Sequence, residues 1–165
     1  MSALHVVVMG VAGCGKSAVG QRMAVHLDLP LIEGDDFHPK RNIRKMQQGI
    51  ALTDEDRADW LQALGLELGR HESGAILTCS ALKRAYRETL RAAVPDLRFV
   101  HLVISQEESL RRVASRPGHF YPPSLVASQF EALQAPAGEA GVISLDANRS
   151  LDELAEQAVG ELRRN

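Results

Sequence analysis

Leu4-His5-Val6-Val7-Val8-Met9-Gly10-Val11-Ala12-Gly13-Cys14-Gly15-Lys16-Ser17 opens the chain with two signals in succession. The apolar, β-branched run from Leu4 to Met9 stops at glycines, which suits the central strand of a sheet covered on both faces. Gly10 to Ser17 then matches G-x-x-x-x-G-K-[ST], and Ser17 to Leu27 has a helical pattern, so the motif stands between a strand and a helix, as its mechanism requires. Glycines let the backbone wrap a phosphate with its N–H groups, and the helix N-terminus adds a favourable dipole. Gly10, Val11, Ala12, Gly13, Cys14, Gly15, Lys16, Ser17 and Ala18 are therefore the expected ATP-binding loop. Lys16 is expected to reach the β and γ phosphates, and the Ser17 hydroxyl to be a Mg²⁺ ligand.

Outward from the loop, apolar strands alternate with helical patterns. Leu29 to Ile32 is a second short strand, followed by the acidic cluster Glu33-Gly34-Asp35-Asp36. Pro39 to Gly49 reads as a basic helix ending at a glycine cap. Thr53 with Asp56 has capping-box spacing and opens a helix from Asp54 to Arg70 with Leu61, Leu64 and Leu68 on one side. Ala75–Cys79, Leu97–Ile104 and Val142–Leu145 read as strands. Lys83–Ala92, Ser105 to about Arg116, Ser124–Leu133 and a final helix capped by Ser150 and Glu153 read as helices. The pattern predicts an α/β fold of three αβα layers on a five-stranded parallel sheet. No repeat or linker divides the chain, so residues 1–165 are expected to be a single domain. Two interruptions, about 39–70 and 117–133, are expected to lie over the carboxyl edge of the sheet, where ligands bind in this architecture.

Composition narrows the partners. The chain has 165 residues, with 19 Lys+Arg against 21 Asp+Glu and a formal charge of −2, which argues against nucleic acid as the main partner. Aromatics at 4% leave few platforms for stacking bases. The apolar run at Val6 is too short to span a membrane and has no basic leader. Cys14 and Cys79 are too few for a disulfide framework, so a cytoplasmic protein is expected.

Nucleotide binding leaves a GTPase-type switch, a mechanical or regulatory ATPase and a small-molecule kinase. The Asn-Lys-x-Asp and Asp-x-x-Gly motifs of the first are absent, and the third strand ends in Thr78-Cys79-Ser80 rather than an acid, against the second. A metabolite kinase is the favoured class. Transfer to an alcohol needs a group that accepts or orients the hydroxyl proton and a site for Mg²⁺ waters. Asp35 suits the first role and Glu33 the second, with Asp35 a further metal-side candidate.

The loop, Gly34-Asp35-Asp36-Phe37-His38-Pro39, Asn42, Lys45-Met46, Leu52-Thr53-Asp54, Asp56-Arg57, Trp60-Leu61, Cys79-Ser80-Ala81-Leu82-Lys83, Tyr86-Arg87 and Gly118-His119-Phe120 resemble, in order, the successive motifs of the gluconate kinases. One departure is that the first acid of the D-x-D pattern in related kinases is Glu33 here. The resemblance implies a fold similar to shikimate and adenylate kinases, ATP-dependent transfer to the 6-hydroxyl of D-gluconate, and a homodimer. A linear polyol with one carboxylate needs a cation at one end and hydrogen-bonding groups along its length. His38, Arg41, Lys45 and Arg57, then Ser80, Lys83 and Arg87, and His119 in the implied lid, are the candidates on the acceptor side. Arg112 and Arg116, four apart on the helix leading into the lid, are candidates for stabilising transferred charge, with Arg116 also against the nucleotide. Cys79 reads as a buried apolar residue, since this transfer needs no thiol nucleophile. Another small-molecule kinase of this fold, such as one for shikimate, and a nucleotide-binding regulator without catalysis are the alternatives.

Overall fold

A computed structural model describes residues 3–115 and 122–164. Its strands are β1 (Leu4–Met9), β2 (Leu31–Glu33), β3 (Gly74–Thr78), β4 (Arg98–Val103) and β5 (Val142–Asp146). Its helices are α1 (Lys16–Leu27), α2 (Lys40–Gln47), α3 (Asp54–Arg70), α4 (Arg84–Ala93), α5 (Gln106–Ala114), α6 (Ser124–Ala132) and α7 (Leu151–Arg164). All strand pairs are parallel, in the order β2-β3-β1-β4-β5. The expected αβα sheet of five parallel strands is what forms.

Side chains alternate along β1 and divide the core in two. Val6 and Val8 pack with Val19 and Met23 of α1 and with Leu154, Ala158 and Leu162 of α7. Val7 and Met9 pack on the opposite face with Trp60, Leu64 and Leu68 of α3 and Leu90 of α4. Burying one such side chain is worth about 1.5–3 kcal/mol, whereas an exposed helix pair such as Arg70–Glu67 is worth only a few tenths. Packing against β1 therefore holds the helices in place, and it leaves the carboxyl ends of β1, β2 and β3 side by side.

The termini of the helices follow local chemistry. Thr53 Oγ1 accepts from the Asp56 amide at 3.1 Å while Asp56 Oδ2 accepts from the Thr53 amide at 2.9 Å, the full reciprocal box. Ser105 accepts from the Glu108 amide, but the Glu108 carboxylate turns to Arg111 and Arg112 instead of returning to the cap. Two guanidiniums one turn along outcompete a neutral amide for that carboxylate. After α2, Gly49 has φ +76°, its amide bonds to Met46 O and that of Ile50 to Lys45 O, a Schellman ending. The helix expected to reach Arg116 ends at Ala114, with Ser115 Oγ donating to Arg112 O at 3.0 Å.

The acidic cluster closes β2 with Glu33 and continues as a 3₁₀ turn over Gly34–Phe37. Gly34 is pressed against the end of β3. Its amide donates to Thr78 Oγ1 at 3.3 Å, its carbonyl accepts from Trp60 Nε1 at 2.8 Å, and a Cβ there would lie 2.2 Å from Thr78 O. Gly34→Ala is expected to force β2 and β3 apart at their carboxyl ends and to cost more than about 2 kcal/mol. Equilibrium urea unfolding checks this, and wild-type stability in the variant would show that the approach is not a constraint.

Candidate active site

The chain leaves β1 through Gly10, Gly13 and Gly15, at φ +149°, +77° and +94°, values that a residue with a Cβ rarely adopts. These let the backbone double back so that α1 starts at Lys16. No side chain caps α1 and its first turn holds no acid, so its N–H groups are left for a ligand, and an anion is the ligand they favour. Over them opens a cavity of about 740 Å³, within the usual range for small-molecule sites. The loop lines it with Ala12, Gly13, Gly15, Lys16, Ser17 and Ala18, whereas Gly10, Val11 and Cys14 lie beneath, buried.

Beside the loop, one carboxylate oxygen joins two elements. Glu33 Oε2 accepts from Ser17 Oγ at 2.9 Å and from Thr78 Oγ1 at 2.8 Å. Glu33 and Thr78 are paired residues at the ends of β2 and β3. The donor set is all oxygen with one carboxylate, which fits Mg²⁺, an ion that keeps several waters and takes few protein ligands. Among the described residues no group of three or more His, Cys, Asp or Glu gathers to hold a metal by itself.

The opposite wall comes from the 3₁₀ turn, α3 and the start of the loop after β3. Asp35, His38, Arg57, Trp60 and Ser80 all line the cavity. The Asp35 side chain is 83% exposed and its Oδ1 lies 3.9 Å from His38 Nε2. His38 stacks on Trp60 at 4.0 Å with 16° between the rings. Burial pushes the His38 imidazole down to about 4, with the Asp35 charge opposing and the Arg57 charge assisting, so the ring is neutral near pH 7. Arg57 Nη1 donates to Leu52 O and to the Tyr86 hydroxyl, both at 3.0 Å. Its Nε and Nη2 carry no hydrogen bond among the described residues and are available to an anionic or polyol ligand.

Residues 6–139 match the family described as an AAA domain. The chain is 41% identical to the thermosensitive gluconokinase of Escherichia coli K12, over 96% of this chain and 89% of that protein. It is 43% identical to the gluconokinase of Gluconobacter oxydans 621H, over 93% and 88%. The chain belongs to the gluconokinase family. A crystal structure of a gluconokinase from Sinorhizobium meliloti 1021 superposes with a TM-score of 0.91 at 44% identity, covering 99% of this chain and 93% of that one. Shikimate kinase from Aquifex aeolicus, at 18% identity and a TM-score of 0.69, shares the fold.

Against this gluconokinase frame, several cations expected at the acceptor stand elsewhere. Arg87 is a correction. It is wholly buried, donates to Ala81 O, Leu82 O and Gln134 O, and pairs with Glu139 at 2.6 Å. Lys83 is the extended residue before α4 and turns to Asp54, whereas Arg87, inside the helix, faces the 134–139 segment. Arg41 is paired with Asp59 on the surface, Lys45 with Asp56 at 2.7 Å, and Lys83 with Asp54 at 2.9 Å. None of these three lines the cavity. Arg112 is likewise held away from it: Nη1 donates to Gly13 O and Nη2 to Ala147 O, so it braces the phosphate loop from outside. Arg116 and His119, with residues 116–121 of the expected lid, lie outside the described residues.

Other contributors escaped the sequence reading. Gln129 Oε1 of α6 accepts from the Ala12 amide, and Ser109 Oγ of α5 donates to Ala12 O, both at 2.6 Å. Together with Arg112 they grip the loop through two helices about a hundred residues downstream. The only available signal was Ser109 itself, a hydroxyl one turn from Val113 on the buried side of α5. The Cys79 thiol is fully buried and pushed up to about 12, chiefly by that burial, which suits the structural role expected of it.

Arg87→Met is expected to destabilise the protein by about 3 kcal/mol, since it strips most of the partners from a buried carboxylate. Urea unfolding measures this. The acceptor KM of the folded variant should stay within about twofold; a large rise in KM at unchanged stability would return Arg87 to the substrate.

The titrations separate by pH. His38 and His101 are both pushed down to about 4, mainly by burial, whereas an unfolded histidine titrates near 6.5. Between those values the unfolded chain binds more protons, so stability falls as pH is lowered from about 6.5 to 4. Asp56 and Glu108, brought down to about 2 by hydrogen bonds from Lys45 and Arg111, add stability that is lost only in more acid solution. The urea midpoint should therefore be lower at pH 5 than at pH 7, and equal midpoints would contradict the buried neutral histidines.

Proposed function

We propose that this chain transfers the γ-phosphoryl of ATP to the 6-hydroxyl of D-gluconate, giving 6-phospho-D-gluconate and ADP. One observation carries the reading: a single cavity is lined at once by Lys16, Ser17 and the uncapped start of α1 and by Asp35, His38, Arg57 and Ser80. Relatives called gluconokinases support the choice of acceptor.

Backbone N–H groups of Gly13 and of residues 15–18 and the Lys16 ammonium hold the phosphates, an arrangement that positions the γ-phosphorus and balances its charge. Ser17 and Glu33 would hold a hydrated Mg²⁺, which when bound neutralises the β and γ oxygens. Asp35, whose side chain is open to the cavity, takes the hydroxyl proton. Arg57 supplies the cation for the gluconate carboxylate, and His38 and Ser80 bond to its hydroxyls. His119, on a lid spanning about 117–133 of this one domain, and Arg116, in the segment leading into that lid, close over the acceptor, with Arg116 on the transferred charge, and exclude the water that competes with it. Arg112 contributes by holding the loop. The family resemblance supports a homodimer, and two buried, unpaired cysteines are in keeping with a cytoplasmic setting.

A coupled ADP-release assay across gluconate, shikimate and nucleoside monophosphates tests this. Turnover should be strongest on gluconate; preference for another acceptor, or ATP hydrolysis indifferent to every acceptor, would overturn it. Asp35→Asn should lose at least about a hundredfold in kcat while keeping its affinity for ATP. Arg57→Ala should raise the gluconate KM about 10- to 100-fold, the worth of a charged hydrogen bond; a change confined to the ATP KM would misplace it.

A further inference from the structure

Asn42 has no part in the mechanism above, yet it is the one wholly buried residue of α2, between surface-facing Arg41 and half-buried Ile43. Its Nδ2 lies 2.9 Å from the Asp56 carbonyl oxygen and 3.2 Å from His38 Nδ1. A main-chain carbonyl can only accept, so the amide must face Asp56 with its NH₂; turned over, it would set Oδ1 against another oxygen. One Nδ2 hydrogen goes to Asp56 O and the second to His38 Nδ1. Nδ1 is therefore an acceptor, and the single hydrogen of the neutral imidazole sits on Nε2. The orientation leaves Asn42 Oδ1 buried without a partner among the described residues. A buried acceptor left unpaired is a penalty that a residue merely filling space would not incur.

The ring is fixed in other ways too. It stacks on Trp60, whose Nε1 is tied to Gly34 O, and its side chain is only 4% exposed. Nε2 stands 3.9 Å from Asp35 Oδ1. That is too far for a direct hydrogen bond, but one oxygen can sit about 2.8 Å from both.

We propose that Asn42 is a positioning residue that locks His38 in the Nε2–H tautomer, so that His38 Nε2–H and Asp35 Oδ1 form a slot of fixed polarity for a single acceptor hydroxyl. The hydroxyl oxygen accepts from His38, and its only hydrogen points at Asp35. With the opposite tautomer, two acceptors would compete for that hydrogen and nothing would donate to the oxygen. In the transfer, the O–H proton passes to Asp35 as the hydroxyl oxygen bonds to the γ-phosphorus, and the bond from phosphorus to the β–γ bridging oxygen breaks, releasing ADP. The kinetic consequence rests on the kinase reading of the cavity; the tautomer does not.

Long-range ¹H–¹⁵N correlation of ¹⁵N-histidine-labelled protein without ligand reads the tautomer directly. His38 should show a protonated Nε2 and an unprotonated Nδ1, and Asn42→Ala should convert this into a mixture. The same variant should lose about tenfold in kcat, the worth of one neutral hydrogen bond, with the ATP KM unchanged. A ring protonated at Nδ1 would overturn the proposal even if gluconate is turned over. An Nε2–H ring in a protein that ignores gluconate would overturn the acceptor assignment and leave the tautomer lock standing. A pair of substitutions covers failure of Asn42→Ala to fold. His38→Gln can set an NH₂ where Nε2–H was and should keep kcat within about tenfold, whereas His38→Asn, reaching only the Nδ1 position, should lose more. Equal losses in the two would remove the slot.

Discussion

Glu33 Oε2 accepts from the Ser17 hydroxyl and from the Thr78 hydroxyl, and so joins the start of α1 to the ends of β2 and β3. Everything that serves the cavity is measured from this junction. On one side lie the uncapped N–H groups of α1 and Lys16. On the other, Gly34 turns the chain immediately after Glu33, close enough to Thr78 that no side chain fits, and the following turn brings Asp35 and His38 to the opposite wall. The phosphate cradle and the acceptor wall thus share a fixed origin at three oxygens, and their separation is set by covalent chain length and by packing of Trp60 beneath the turn.

The second organising effect is charge pairing. Asp59 takes Arg41, Asp56 takes Lys45, Asp54 takes Lys83 and Glu139 takes Arg87. Among the described residues, the lysine and the arginine that line the cavity are Lys16, in the phosphate loop, and Arg57, on the opposite wall. The near-balance of 19 basic and 21 acidic residues allows this pairing: these four acids hold two guanidiniums and two ammoniums outside the cavity lining.

Fold and loop were legible because their signals are local. A β-branched run, glycines at fixed offsets and leucines at helical spacing each act within a few residues, and the capping pair Thr53–Asp56 formed as its spacing required. Spacing also suggested one helix face for Lys83 and Arg87, though Lys83 is only the extended cap before α4 and Arg87 alone stands on the face in question. It could not say what that face meets, since Glu139 lies 52 residues beyond Arg87 and no pattern near Arg87 announces it. The same holds for Gln129, 117 residues from the amide it accepts, and for the two-way competition that drew the Glu108 carboxylate away from its cap. Asn42 was visible as part of a motif, but its role depends on which neighbouring atoms are acceptors, which only the folded arrangement reveals.

The grip of Ser109, Arg112 and Gln129 on Ala12 and Gly13 gives the phosphate loop an unusual history during synthesis. The loop is among the first segments to be made, yet its strand is flanked by β3 and β4 and its backbone is clasped by residues that emerge much later. A growing chain that ends before Ser109 has the whole motif and lacks the clasp, and one that ends before Gln129 has only part of it. The hydrogen bonds that hold the phosphate loop are therefore complete only late in translation, when the half of the protein that carries none of its signature has been made.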